Sequence, residues 1–265
     1  MRNSIHVSLL FAILIWACSV PPSGDSLNGK IIDLTHAFDA QTVYWPTAEE
    51  FKLEVVFKGE SPNGFHYEAN NFSAAEHGGT HIDAPVHFFA GRHATDEIPL
   101  DRLMGEGALI DVSSKCAADP DYQVTSGDFA AWEKAHGRHL DDLIVLVRTG
   151  FGKYWPDRVK YMGTDERGAE AVPKLHFPGL HPDAAKWLVE NRNIKAIGLD
   201  TPSIDPGQST RFPSHVTLCE HNIPAFENVA NLDQLPDSDF IVIALPMKIK
   251  GGSGGPLRIV AIVGE

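Results

Sequence analysis

Between His77 and His87 the chain reads His-Gly-Gly-Thr-His-Ile-Asp-Ala-Pro-Val-His, and no other stretch restricts the fold so tightly. On a helix, His77 and His81 would share a face as a ligand pair. Gly78, Gly79 and Pro85 argue against that, because each glycine costs a helix about 1 kcal/mol and a proline about 3 kcal/mol. An extended chain is the better reading. With a period of two, His77, His81, Asp83 and His87 project to one face together with Gly79, which leaves room beside the ligands, while Thr80, Ile82, Ala84 and Val86 take the other. Two imidazole nitrogens and a carboxylate on one face form a divalent-metal site with coordination positions left for water. His87, beyond Pro85 on the same face, is placed to move protons. One histidine in a Gly-rich turn is usually a surface or hydrogen-bonded residue; three with an aspartate on one face point to ligation.

Composition supports a small-molecule partner. The chain of 265 residues carries 13 histidines, four of them between His77 and His93, and a net charge of −13. That sign repels phosphate backbones and anionic lipid headgroups, which argues against a nucleic-acid or membrane-surface protein. With 43% hydrophobic and 22% charged residues the composition is globular and excludes disorder, collagen and coiled coil.

The N-terminus, residues 1–19, reads as a signal peptide: Arg2 precedes an apolar run from Val7 to Ala17 that is too short to span a bilayer, and small residues follow around Ala17-Cys18-Ser19. A secreted, periplasmic or lumenal location follows, with no membrane contact after cleavage. Lipidation at Cys18 is the alternative, disfavoured by the bulky Trp16. Residues 20–29 form a linker, and residues 30–265 one domain. Cys116 and Cys219 are too few for a disulfide framework. The sequon Asn71-Phe72-Ser73 is expected to be shielded by burial.

Strands are expected at Ile31–Leu34, Lys52–Phe57, His66–Ser73, Ala108–Val112, Leu143–Arg148, Ile194–Leu199, Phe240–Leu245 and Leu257–Val263, each short and bounded by turn residues. Helices are expected from Ser126 as N-cap through Ala135, at Pro182–Asn191, and from Ser214 as cap to about His221. The mixture implies a single α/β or α+β domain. Phe151 to His181 breaks this rhythm and reads as a long loop, either functional or a solvated excursion.

The histidine run resembles the His-x-Gly-Thr-His-x-Asp-x-Pro-x-His signature of the metal-dependent cyclase family, which includes kynurenine formamidases and isatin hydrolases. The resemblance extends through Ile32-Asp33-Leu34-Thr35, Tyr44-Trp45-Pro46, Gly198 to Asp205, Glu227 to Leu232, Leu245 to Ile249, Gly251 to Pro256 and Arg258. It implies an α/β fold of the family's swivelling β/β/α type, assembled as a homodimer or higher homo-oligomer. It also implies His77, His81 and Asp83 as ligands of a first metal and His87 as the proton-transfer group. A second metal would be held by Asp83 with His215 and Glu227, which stand at the family's spacing. The cofactor is then Zn2+ or Mn2+, one or two ions per subunit. The implied reaction is attack of metal-bound hydroxide on an amide-type carbonyl next to an aromatic ring. Arylformamidase activity, N-formylkynurenine to kynurenine and formate in tryptophan catabolism, is the first expectation. A cyclic-amide hydrolase of the isatin type is the alternative, supported by the extra length at 151–181, and a non-catalytic metal or small-molecule binding protein is a third reading. An aromatic amide substrate needs an aromatic wall, for which Phe38, Trp45, Phe65 and Phe88 are candidates.

Overall fold

The computed structural model describes residues 29–264, so the signal segment at 1–19 and the linker up to residue 28 lie outside the described residues. Twelve strands follow in chain order: β1 (Lys30–Asp33), β2 (Lys52–Glu60), β3 (His66–Ser73), β4 (His81–Asp83), β5 (Met104–Asp111), β6 (Gln123–Val124), β7 (Ile144–Arg148), β8 (Gly179–Leu180), β9 (Ala196–Leu199), β10 (Ala225–Glu227), β11 (Phe240–Pro246) and β12 (Gly254–Val263). The α-helices are α1 (Leu100–Leu103), α2 (Ser113–Ala118), α3 (Ser126–His136), α4 (Arg158–Met162), α5 (Pro182–Asn191) and α6 (Pro213–Glu220).

Eight strands form the main sheet in the order β1-β12-β11-β5-β7-β9-β10-β4, and β4 pairs back onto β12, closing the sheet into a barrel-like ring. The run β5-β7-β9-β10 is parallel and the remaining pairings are antiparallel. Parallel strands covered on both faces read as unbroken apolar runs, and Ile144–Val147 and Ala196–Leu199 are buried throughout. Alternation sorts them between two cores. Val145, Val147, Ile197 and Leu199 pack with Phe129 and Trp132 of α3 and Leu188 of α5, whereas Ile144, Leu146 and Ala196 pack with Ile82, Phe226 and Ile259. The architecture is the mixed α/β single domain that the sequence implied.

Helix starts differ from expectation by a residue or two. The cap of α3 is Thr125, not Ser126: the Asp128 carboxylate accepts its N–H at 2.7 Å and its hydroxyl at 2.9 Å. α6 starts at Pro213 after Phe212, whose φ of 48° is left-handed, so Ser214 lies inside the helix. Its N–H meets Asp205 at 3.1 Å and its hydroxyl meets the Leu180 carbonyl at 3.1 Å.

Two other expectations are corrected. Residues 151–181 are not a loop but a folded segment with two 3-10 turns, α4 and β8, and they bury Tyr161, Met162, Leu175 and Phe177. β2 and β3 form a separate exposed hairpin, so Asn71 is exposed where burial was expected. Cys116 and Cys219 are buried, unpaired thiols.

Candidate metal centre

The histidine run is extended only in part. β4 covers His81 to Asp83, and Pro85–His87 forms a 3-10 turn. Strand alternation therefore puts His81 and Asp83 on one face, but His77 and His87 arrive by turns and stack on each other with ring centroids 3.8 Å apart. Gly79 does not make room for ligands, as the strict alternation suggested. It has a left-handed φ of 58°, and a Cβ there would stand 2.6 Å from the Phe38 ring. A Cβ on Gly78 would stand 2.0 Å from the Tyr44 ring.

Sheet register delivers the acidic partner. β4 lies between β10 and β12, with His81 opposite Glu227 on one side and Pro256 on the other. His215 comes from the first turns of α6. All the expected ligands converge. Asp83 Oδ1 lies 2.7 Å from His77 Nδ1 and 3.2 Å from His81 Nε2, and its Oδ2 lies 3.0 Å from His215 Nε2. Glu227 lies 3.1 Å from His215 Nε2 and 3.4 Å from His81 Nε2. Among the described residues, two groupings have ligand atoms close enough to hold an ion, His77–Asp83–His87 and His81–Asp83–Glu227, with Asp83 common to both. His77 and His81, expected to share one ion with Asp83, both approach its Oδ1.

The residues fit a divalent cation. His81 Nδ1 faces the Gly79 carbonyl at 2.9 Å and so carries the proton, which turns the Nε2 lone pair toward two carboxylates. That nitrogen is buried and has no hydrogen-bond partner, a cost a cation would remove. His77 is set in a similar way. Ser253 donates to Glu76 at 2.6 Å, so its oxygen accepts from His77 Nε2 at 2.9 Å, and Nδ1 faces Asp83 with its lone pair. Imidazole nitrogen with carboxylate oxygen suits zinc or manganese.

Electrostatics follow the same logic. Burial opposes ionisation of Asp83, but His77, His215 and His81 outweigh it and hold the carboxyl well below its usual range. Burial and the neighbouring Asp83 charge push Glu227 up despite His215. Burial pulls His81 and His215 down, but the carboxylates that they face carry both above the ordinary histidine value: the same negative charge that would hold a cation favours a proton on these rings. His87 is pushed down to about 4, chiefly by burial. Asp205, fully buried, faces His215 Nδ1 at 2.6 Å and accepts the His215 N–H at 3.0 Å, aiming the other ring nitrogen into the cluster.

Above the cluster lies a cavity of about 280 Å³ whose apolar wall includes Val43, Trp45, Phe88, Pro202 and Phe212. Trp45 and Phe88 are where an aromatic wall requires them; Phe38 and Phe65 are not. Phe38 packs on Gly79 and borders a different depression beside Met247, and Phe65 is 55% exposed near the hairpin turn. Sequence reasoning missed Phe212, which stands one helical turn before His215, and Tyr44, whose place is fixed by a bridge to Gly78. It also gave no role to Asp205, Glu76 or Ser253.

A family model described as "Putative cyclase" matches residues 32–206, and the chain belongs to that family. The chain is 36% identical over 244 residues to an isatin hydrolase of Roseibium aggregatum, covering 89% of this chain and 88% of the relative. It is 28% identical over 235 residues to a kynurenine formamidase of Salinibacter ruber, covering 87% and 96%. Among solved structures, isatin hydrolase A from Labrenzia aggregata, bound to benzyl benzoate, superposes with a TM-score of 0.80 at 34% identity, covering 89% of this chain and 94% of that one.

Proposed function

We propose that this cyclase-family hydrolase opens the C–N bond of a small aromatic cyclic amide of the isatin type, using a divalent zinc or manganese ion. The observation that carries the reading is the buried, partnerless His81 Nε2 facing Asp83 and Glu227 beneath an aromatic-walled cavity. His77, His81, Asp83, His215 and Glu227 offer the ligand atoms. When bound, the ion would bring the pKa of a water toward 7 and polarise the substrate carbonyl.

The protein's own residues do the rest. Trp45, Phe88 and Phe212 hold the aromatic ring and exclude water from it. Asp205 holds His215 in one orientation, and the Ser253–Glu76 pair does so for His77. His87, neutral at neutral pH, takes a proton at a ring nitrogen and returns it to the departing amide nitrogen, so that water adds across the C–N bond.

The greater identity with an isatin hydrolase, 36% against 28% for the kynurenine formamidase, favours the cyclic amide over the open-chain formamide expected first. N-formylkynurenine stays as the second reading, supported by that formamidase. The purified protein assayed on isatin and on N-formylkynurenine, with zinc and with manganese, separates them. Turnover of isatin is expected. Turnover of N-formylkynurenine alone would replace this reading with the formamidase, and binding of either compound without product would replace it with a non-catalytic binding protein.

A second copy of the chain is the proposed partner. The β2–β3 hairpin exposes Leu53, Val55, Val56, Tyr67 and Phe72, each at least half accessible. Several large apolar side chains exposed on one hairpin are the kind of surface that a partner covers.

A further inference from the structure

The cavity wall at Tyr44, Trp45 and Ala48 belongs to a strap with almost no regular structure beyond an isolated bridge between Tyr44 and Gly78. The Val43 and Glu49 carbonyls accept the N–H groups of Gly79 at 3.0 Å and Ala75 at 3.2 Å, and further anchors come from residues 151–181, the segment for which the reaction has no direct use. The Arg167 guanidinium donates to the carbonyls of Trp45 at 3.1 Å and Tyr44 at 3.4 Å through one nitrogen, and to Ala48 through another. The adjacent Gly168 N–H meets the Pro46 carbonyl at 2.9 Å. Glu50 lies 3.7 Å from Arg167 and also pairs with Arg158. From the same segment Phe177 presents its ring to the Trp45 indole, edge to face, with centroids 6.4 Å apart.

We propose that Arg167 is a positioning residue that sets where the Trp45 wall stands, so that residues 151–181 act as the specificity element of the cavity. Three carbonyls spread over one turn need several donors in fixed directions. A guanidinium supplies them in a rigid plane, whereas an ammonium is a single point. Losing the fork frees the Tyr44 and Ala48 carbonyls, leaves the Trp45 carbonyl with only the Ala48 N–H, and lets the indole drift from the ring it holds. The metal cluster, on β4, β10 and α6, has no contact with Arg167 among these bonds and keeps its geometry.

This inference rests on the proposed aromatic amide substrate, and its test carries one readout that does not. Arg167→Ala and Arg167→Lys are compared with the parent for metal content, for steady-state kinetics on isatin, and for backbone hydrogen exchange. KM should rise about tenfold in Arg167→Ala with kcat changed less than about threefold, the pattern of lost binding and intact chemistry. Arg167→Lys, which keeps the charge opposite Glu50, should restore only part of the difference, and metal content should not change. Exchange should quicken across residues 43–50 and stay as it was across residues 77–87. An unchanged KM and exchange rate in Arg167→Ala, a full rescue by lysine, or a parallel loss of metal would each overturn the assignment. Should the parent turn over neither isatin nor N-formylkynurenine, the proposed reaction fails, and the exchange pattern alone decides the role of Arg167. Should Arg167→Ala not fold, Arg167→Lys carries the same comparison.

Discussion

At the scale of single residues, the site depends on which ring nitrogen each histidine presents. Asp205 fixes this for His215, so Asp205→Asn should weaken metal affinity by about 10- to 100-fold, measured by competition with a chelator, with little change in secondary structure. His81→Ala removes the nitrogen between Asp83 and Glu227 and should abolish metal uptake, whereas His87→Ala leaves that grouping whole and should keep metal while losing most turnover. Equal metal content in the parent and His81→Ala would refute the ligand assignment. His36 gives a pH effect away from the cluster. Burial pushes its imidazole from 6.5 down to about 4, and it stacks on Trp155 at 4.1 Å. The unfolded chain binds this proton first, so His36 contributes stability that is complete above pH 6.5 and lost as pH falls toward 4. In His36→Phe, denaturant midpoints should fall less between pH 7 and pH 5. The ligands were legible because residue type and spacing specify them. Phe38 and Phe65 were misplaced because an aromatic identity does not say which cavity the ring will face.

At the scale of elements, α3 is joined to the residue following α5 by Arg192, whose guanidinium meets the Glu133 carboxylate. The Arg192 hydrogen bonds hold Glu133 down at about 2 from an ordinary 4.5, so this contribution is complete above pH 4.5 and lost as pH falls toward 2. Acid titration of stability should show that loss, and Glu133→Gln should remove it. The seam beside the cluster is set by close approach. Gly78→Ala would drive a methyl into the Tyr44 ring, and thermal or urea unfolding should report about 1–3 kcal/mol of destabilisation, the usual cost of overpacking. Strands such as β3 and helices such as α5 were legible from local chemistry, since a β-branched or aromatic run and a proline at the first helical turn act within the segment. β10 was not among the expected strands, and β4 was read only as part of an extended run from His77 to His87. At three residues each, they pair with each other across more than a hundred positions in sequence, which no local window contains. The segment at 151–181 was read as a loop for a related reason: its short turns are held by burial of Tyr161, Leu175 and Phe177 and not by periodicity.

At the scale of the whole molecule, the exposed hairpin predicts the oligomeric state. Lysine placed at both Leu53 and Val55 should convert a dimer into a monomer in sedimentation velocity while leaving the melting of the α/β body nearly unchanged, because neither side chain belongs to a core. A parent that sediments as a monomer at all concentrations would remove the proposed second copy. The ring closure also orders events in time. Residues 30–33 and 81–83 both take their partners from the stretch 254–263, and Thr35 bonds to the Ile259 carbonyl 224 positions later. Contacts of such separation form late, after the entropy of a long loop has been overcome. A chain emerging from the ribosome holds β4 and β10, with His81 opposite Glu227, before it holds β12, which flanks β4 on the other side. A truncation before Gly254 should therefore yield a protein whose ring stays open and which holds a divalent ion less tightly than the parent, read by competition with a chelator.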